Sequence, residues 1–503
     1  MKQIEHIGVV GAGAMGRGIL QLFASAGQTV HCYDAADGAA DEAIEFVRGM
    51  ITRLVEKERL SDSEADAIIA RIHKVDSLDG LADCDLVIEA IVEDLSVKQT
   101  VFADIEAVVA SEAIIASNTS SLLVSAIAAE CRHPERVAGM HFFNPVPLMK
   151  VVEIISAVRT DAAVVDTLVA LTESAGHRAV IAADQPGFLV NHAGRGYYTE
   201  AFRCLEDQVC AVPDIDRIMR LAGGFRMGPL ELLDLTGLDI SGKAMVTIYN
   251  DFQQEPRFRP SSLVPPRVAA GLYGRKTGEG WHRYENGRKQ EPPEPKTPDM
   301  PADCRFWVAE EAPERRALLE LVSNAGAEVA RDAATADVII VQPWGEDVSS
   351  VCASRGYDAR RTVAVDPLPG LDRHRTLMLS ILTDVAVRDA AHALLAPGPG
   401  VTVISDSPGF VVQRVLAMIV NIATNIAQRG IASVQDIEDA VRLGLGYPAG
   451  PLTLGEQIGP ARVLAILENM QATTGDPRYR PSLWLRRRVA LGASLLTEDA
   501  ARG

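Results

Sequence analysis

Residues 4–10 (IEHIGVV) form an apolar run short enough for a buried strand, and a helical period begins at residue 17 after a short glycine-rich interval. Residues 28–33 predict a second strand. Residues 39–72 are charged, helical in period and longer than a minimal crossover, which predicts a helical hairpin laid against a sheet. Further strands are predicted over 85–90 (DLVIEA), 113–117 and 136–141. An apolar run beyond the proline-broken turn Asn144-Pro145-Val146-Pro147 reads as one more, ending at Glu153. Strands alternating with helices in this way define an α/β, Rossmann-type parallel sheet. At Asp184 the pattern becomes all-helical and stays so to about residue 284.

The chain then repeats itself. Asp184-Gln185-Pro186-Gly187-Phe188 recurs as Asp406-Ser407-Pro408-Gly409-Phe410, and Gly228-Pro229-Leu230 as Gly450-Pro451-Leu452, both shifted by 222 residues. Arg257-Phe258-Arg259-Pro260-Ser261 recurs as Arg478-Tyr479-Arg480-Pro481-Ser482. The predicted organisation is a dinucleotide-binding domain over 1–183, a helical domain over 184–284, a Pro- and Glu-rich linker over 285–303, a degenerate α/β domain over 304–404 and a second helical domain over 405–503. The degenerate domain carries Glu310-Glu311-Ala312-Pro313 where a phosphate-binding turn would need glycines, and Gln413 stands at the position of Asn191. The second half is therefore expected to keep the shape without the chemistry.

The glycine-rich interval is Gly11-Ala12-Gly13-Ala14-Met15-Gly16, a G-x-G-x-x-G between strand and helix. The first glycine permits the turn, the second lets a pyrophosphate approach the backbone, and the third lets the helix pack against the strand. Asp34, at the end of the second strand, can accept hydrogen bonds from ribose hydroxyls and would repel a 2′-phosphate, favouring NAD over NADP. Glu93 and Lys98, just past the 85–90 strand, are placed to meet the nicotinamide half. Ser120 and His141 fall just beyond the ends of neighbouring strands. A hairpin return would bring Glu153 to the imidazole of His141, and a carboxylate so placed fixes the tautomer of a general base. Asn191 opens, or lies in the first turn of, the first long helix.

A formal charge of −18 excludes phosphate-backbone recognition as a function, because nucleic-acid binding is driven by clustered Lys and Arg. The seven cysteines are scattered with no CxxC pair, which suits free thiols in a reducing compartment and suggests no metal site. The most apolar later stretch, 415–427, is read as too short to span a bilayer, and a cytoplasmic address is expected.

The phrases SNTSSL, HFFNPVPLMKVVE, DQPGFLVN, MGPLELLD and GRKTGEG together resemble the 3-hydroxyacyl-CoA dehydrogenase family, strongly over residues 4 to about 284 and more weakly over the duplicated tail. The resemblance implies NAD as cofactor and an (S)-3-hydroxyacyl-CoA as substrate. It implies His141 as general base, Glu153 as its partner, Ser120 and Asn191 on the substrate oxygen, and Asn144, Glu93, Lys98 and Ser120 along the cofactor. Two-copy chains of this length resemble bacterial enzymes acting on 3-hydroxyadipyl-CoA, with 3-hydroxybutyryl-CoA the other common substrate. The family dimerises through its helical domain, so the second copy is expected to supply that partner within one chain, with further homo-oligomers open. The competing readings are a non-catalytic, crystallin-like relative and a dehydrogenase of small free 3-hydroxy acids.

Overall fold

In the computed structural model, which describes residues 3–500, the chain divides into two compact units. The first holds the residues up to His192 together with Arg429–Gly446; the second holds Ala193–Gln428 and everything from Tyr447 onward. The division does not follow the five sequence segments, because one helix of the second helical copy belongs with the first sheet.

The first unit is built on eight strands: β1 (His6–Val10), β2 (Thr29–Tyr33), β3 (Ile72–Lys74), β4 (Leu86–Glu89), β5 (Ile114–Ser117), β6 (Val137–Phe142), β7 (Val151–Ser156) and β8 (Arg178–Ala183). They lie in the order β3-β2-β1-β4-β5-β6-β7-β8, parallel except for the β6–β7 pair. Strands such as LVIE and IIAS are buried at every position because helices cover both faces, which is why they read as continuous apolar runs. The predicted helical hairpin is present as Ala39–Glu56 and Asp62–Ile69, the second opened by a capping box between Ser61 and Glu64. The helix Val434–Gly444 packs on β7 and β8, where Arg178 bonds Asp436 at 2.7 Å and Asp439 at 3.0 Å. At the same edge the amide of Ala183 donates to the carbonyl of Ile431.

The second unit contains the hairpin β9 (Arg283–Glu285) and β10 (Arg288–Gln290), then β11 (Arg305–Val308), β12 (Glu328–Val329), β13 (Val338–Val341), β14 (Thr362–Val365), β15 (Arg375–Leu379) and β16 (Val401–Ile404). The hairpin takes up the start of the expected linker, and Lys289 ties it to Glu231 at 2.6 Å. The other strands form a six-stranded sheet ordered β12-β11-β13-β14-β15-β16, with β14 and β15 antiparallel. Glu310 and Glu311 follow β11 and are exposed.

The core helix of this unit is Val411–Gln428, flanked by Arg195–Glu206, Pro451–Ile458, Pro460–Thr474 and Leu483–Leu491. Its 18 residues are long and apolar enough to cross a membrane, which corrects the shorter span read from sequence, but 83% of it is buried inside the protein. Its outward faces pack on other helices. Arg414 on this helix is fully buried against Glu200 of Arg195–Glu206 at 2.8 Å, with Tyr479 donating to the same carboxylate. The amide of Ser405 donates to the carbonyl of Val209, which repeats the Ala183–Ile431 bond under the 222-residue shift.

Candidate active site

The first unit gathers the predicted chemistry at the carboxyl ends of its strands. Gly11 adopts φ +105°, and a Cβ on Gly16 would lie 1.8 Å from the carbonyl oxygen of Gly11, so both positions demand glycine. A Cβ on Gly13 would meet nothing within 4 Å: this glycine borders open space at the start of the helix Ala14–Ala26, which has no side-chain cap. Exposed Ala14 and half-buried Met15 form the first turn there. Such an uncapped helix start, with an open approach, fits a pyrophosphate. Half-buried Asp34 accepts from the amide of Ala12 at 2.7 Å and of Ala36 at 2.9 Å, so it secures the glycine loop while its remaining lone pairs stay available to hydroxyl donors.

Glu93 organises the loop that carries Ser120. One of its oxygens accepts from the Thr119 hydroxyl at 2.7 Å, the Ser120 amide at 2.9 Å and hydroxyl at 3.3 Å, and the Ser121 amide and hydroxyl at 3.0 Å. Burial alone would raise this carboxyl, but the Thr119 bond, the Lys98 charge and the Ser120 amide outweigh it and hold the group below its usual range. The Lys98 side chain is 1% exposed and its ammonium lies 2.6 Å from Glu89 and 3.4 Å from Glu93, so two carboxylates hold it at the strand end beside the Ser120 loop. Glu89, which the sequence hid inside an apolar strand, also accepts from the Ser117 hydroxyl at 2.7 Å and the Ile91 amide at 2.7 Å.

His141 and Glu153 face each other across β6 and β7, and His141 Nδ1 lies 2.5 Å from Glu153 Oε2. The imidazole is 6% exposed, with Phe143 and Phe188 beside it. The other oxygen of Glu153 accepts from the amides of Leu189 at 2.9 Å and Val190 at 2.7 Å. Asn191 is half-buried in the short helix Val190–Ala193; the first long helix starts only at Arg195. Asn144 is exposed in the turn after β6, and Ser120 is exposed on the loop after β5.

Two of the quoted phrases serve the scaffold. Asp184 of DQPGF accepts from the amides of Val124 and Ser125. Asp234 of GPLELLD accepts from the amides of Trp281 and His282, holding the segment that follows GRKTGEG. Among the described residues no group of three or more His, Cys, Asp or Glu could hold a metal ion.

Strand register locates the same positions in the second unit. The 222-residue shift matches Ile404 to Ala182; their partners are Met378 and Ile155, whose own partners are Ala364 and Gly139. Two residues further on, Asp366 corresponds to His141, and its amide donates to Thr376, the counterpart of Glu153. Gln413 corresponds to Asn191, and Trp344 to Ser120 through the β13–β14 register. The Gln413 amide donates to Asp366 at 2.9 Å and to the Pro343 carbonyl, and accepts from the Gly345 amide, so these residues close on themselves.

Burial raises the Asp366 carboxyl to about 7. The folded chain thus retains a proton that the unfolded chain, with an Asp near ~3.9, releases. The stability this group supports is full below pH ~4, declines between ~4 and about 7, and is lost above that. Asp366→Asn should therefore unfold at higher denaturant concentration than the parent at pH 8, by a margin that shrinks steadily as the pH is lowered to about 4; equal midpoints at pH 8 would contradict the assignment.

Family models place this architecture. That of the NAD binding domain of 3-hydroxyacyl-CoA dehydrogenase matches residues 6–185, and that of its C-terminal domain matches 187–284 and again 409–498. The chain belongs to the 3-hydroxyacyl-CoA dehydrogenase family, a class of oxidoreductases acting on CH–OH groups. It is 38% identical over 494 residues to 3-hydroxyadipyl-CoA dehydrogenase of Escherichia coli K12, covering 98% of each chain. A crystal structure of 3-hydroxybutyryl-CoA dehydrogenase from E. coli K12 matches with a TM-score of 0.85 and 35% identity, covering 97% of this chain and 99% of that one. The (S)-3-hydroxybutyryl-CoA dehydrogenase of Ralstonia eutropha matches 56% of this chain and all of its own, with a TM-score of 0.55 and 37% identity.

Proposed function

We propose that the chain oxidises an (S)-3-hydroxyacyl-CoA to the 3-oxoacyl-CoA with His141 as general base, the substrate being 3-hydroxyadipyl-CoA or 3-hydroxybutyryl-CoA. The observation that carries this is the buried His141–Glu153 pair at 2.5 Å, on the same strand ends as the glycine loop. NAD⁺, when bound, supplies the hydride acceptor. Glu153 accepts the Nδ1 proton and so presents Nε2 as the atom that takes the proton of the 3-hydroxyl. Ser120 and Asn191 hydrogen-bond the same oxygen. In the reverse direction the protonated imidazole donates to the 3-keto oxygen. Gly11, Gly13, Ala14, Met15 and Gly16 hold the pyrophosphate, and Glu93, Lys98, Ser120 and Asn144 line the nicotinamide side. The substrate reading is tested by steady-state kinetics over a series of acyl-CoA lengths that includes a dicarboxylic one; a flat kcat/KM across the series would remove the assignment to these two substrates.

NAD is favoured over NADP because Asp34 would repel a 2′-phosphate. Asp34→Ala should narrow the ratio of kcat/KM for NAD over NADP by about tenfold or more, on the order of one lost charged hydrogen bond, and should also raise KM for NAD, since Asp34 holds the glycine loop. An unchanged ratio would take Asp34 off the ribose.

The second copy acts as a built-in partner of the first. The counterpart bonds Ala183–Ile431 and Ser405–Val209 support this, since reciprocal contacts are what a two-fold pairing of equal domains produces. Calorimetric titration should find one NAD per chain, because the second sheet has acids in place of the glycine loop; two sites per chain would refute the division.

A further inference from the structure

The turn Pro186-Gly187-Phe188 occurs twice in the chain with the same three residues, as Pro408-Gly409-Phe410 in the second copy. Local sequence alone would give the two phenylalanines the same backbone, and they differ. Phe188 has φ +48°, a left-handed conformation that bulky side chains rarely adopt, whereas Phe410 is not among the described non-glycine residues with positive φ. Both phenylalanines are buried, 1% and 0% exposed, so packing of an exposed ring does not separate them.

A difference on the facing strand accompanies this one. Behind Phe188 stands Glu153, an anion, and the two amides that follow the left-handed residue, those of Leu189 and Val190, converge on one of its oxygens at 2.9 and 2.7 Å. A left-handed residue followed by successive amides that point the same way is the backbone arrangement that cups an anion. The second copy has neutral Thr376 at the corresponding position; its Gly409 is left-handed (φ +81°), as Gly187 is (φ +70°), but Phe410 is not. The strain at Phe188 is thus matched to the carboxylate, in the manner of strain held at functional sites by surrounding contacts.

We infer that Phe188 is a positioning residue for the reaction: its left-handed backbone builds the amide cradle that holds one oxygen of Glu153, so that the other is fixed on His141. This rests on the His141–Glu153 reading above and extends it by assigning the group that aims the carboxylate.

The test compares Phe188→Gly with Phe188→Ala, two variants that lose the same ring and differ in whether the left-handed conformation is strained. Glycine ordinarily destabilises relative to alanine because it is freer in the unfolded chain. Here the order should reverse, with Phe188→Gly melting higher than Phe188→Ala. In a Glu153→Thr background the cradle has nothing to hold, and the ordinary order should return, with the alanine variant melting higher. In the parent background turnover of Phe188→Gly should exceed that of Phe188→Ala by about fivefold, as one relieved left-handed residue predicts, with KM and NADH affinity equal in the two. A crystal structure of Glu153→Thr gives a reading that needs no change at Phe188: its φ should turn negative. Persistence of positive φ in that variant, the same melting order in both backgrounds, or equal turnover of the two Phe188 variants would overturn the inference. The melting order and the φ angle do not depend on which group is the base, which the kinetics of His141→Ala decide separately.

Discussion

Replacing His141 with alanine should lower turnover by about 10²–10⁴-fold, the range for loss of a general base, while NADH affinity stays within about twofold of the parent. The split follows from geometry. His141 is at the end of β6, tied through Nδ1 to Glu153 and flanked by Phe143 and Phe188. The glycine loop and Asp34 are secured independently by the amides of Ala12 and Ala36 and by the fit of Gly16 against Gly11. Removal of the imidazole leaves that loop with all of its own supports. The measurement is kcat in parallel with NADH binding followed by fluorescence, and a parallel loss of both would mark His141 as a residue of the scaffold.

Arg414→Ala should destabilise the second unit by about 3–5 kcal/mol, the cost of leaving a buried charge without its main partner. Arg414 and Glu200 are both fully buried, and the guanidinium also bonds the Ser407 hydroxyl and Asp207 at 2.9 Å each. Without it, Glu200 keeps only the Tyr479 hydroxyl at 3.0 Å and Arg478 at 3.8 Å. Desolvation makes the intact pair a weak net contributor even though breaking it is expensive. The double change Arg414→Leu with Glu200→Leu should therefore lose less than Glu200→Ala, which leaves both Arg414 and Arg478 buried without that carboxylate. Denaturant unfolding followed on this unit measures the order, and a double variant weaker than Glu200→Ala would show that the pair stabilises outright.

The parts of the site legible in the sequence were those fixed by short-range rules. Strand, glycine turn and helix are contiguous, and Asp34 ends the next strand, so the cofactor loop needed no tertiary information. The pairing of His141 with Glu153 was readable because a proline turn between two apolar runs forces an antiparallel return, and the register then puts the two opposite each other. Glu89 was not legible. A carboxylate within LVIE looks like a flaw in a strand until the helix Leu95–Val108 brings Lys98 against it at 2.6 Å. The grouping of Val434–Gly444 with the first sheet was equally hidden, since it rests on Arg178 meeting two aspartates more than 250 residues away along the chain. Nor could the motif DQPGF reveal that its two copies differ in backbone, because the cause lies on another strand.

The cluster of Asp366, Thr376 and Gln413 bears on how the duplicated chain can change over generations. A duplicated domain is commonly viewed as a reserve, open to gaining a second activity by a few substitutions. Here Gln413 spans Asp366, Pro343 and Gly345, and the Asp366 amide donates to the Thr376 carbonyl. Restoring a histidine at 366 alone would set it against an amide shaped for a carboxyl group, and restoring a glutamate at 376 alone would bury an anion with no imidazole to meet it. Asp366→His and Thr376→Glu should therefore each lower the denaturant midpoint of the chain. Selection is left free to tune the second copy for the company it keeps with the first.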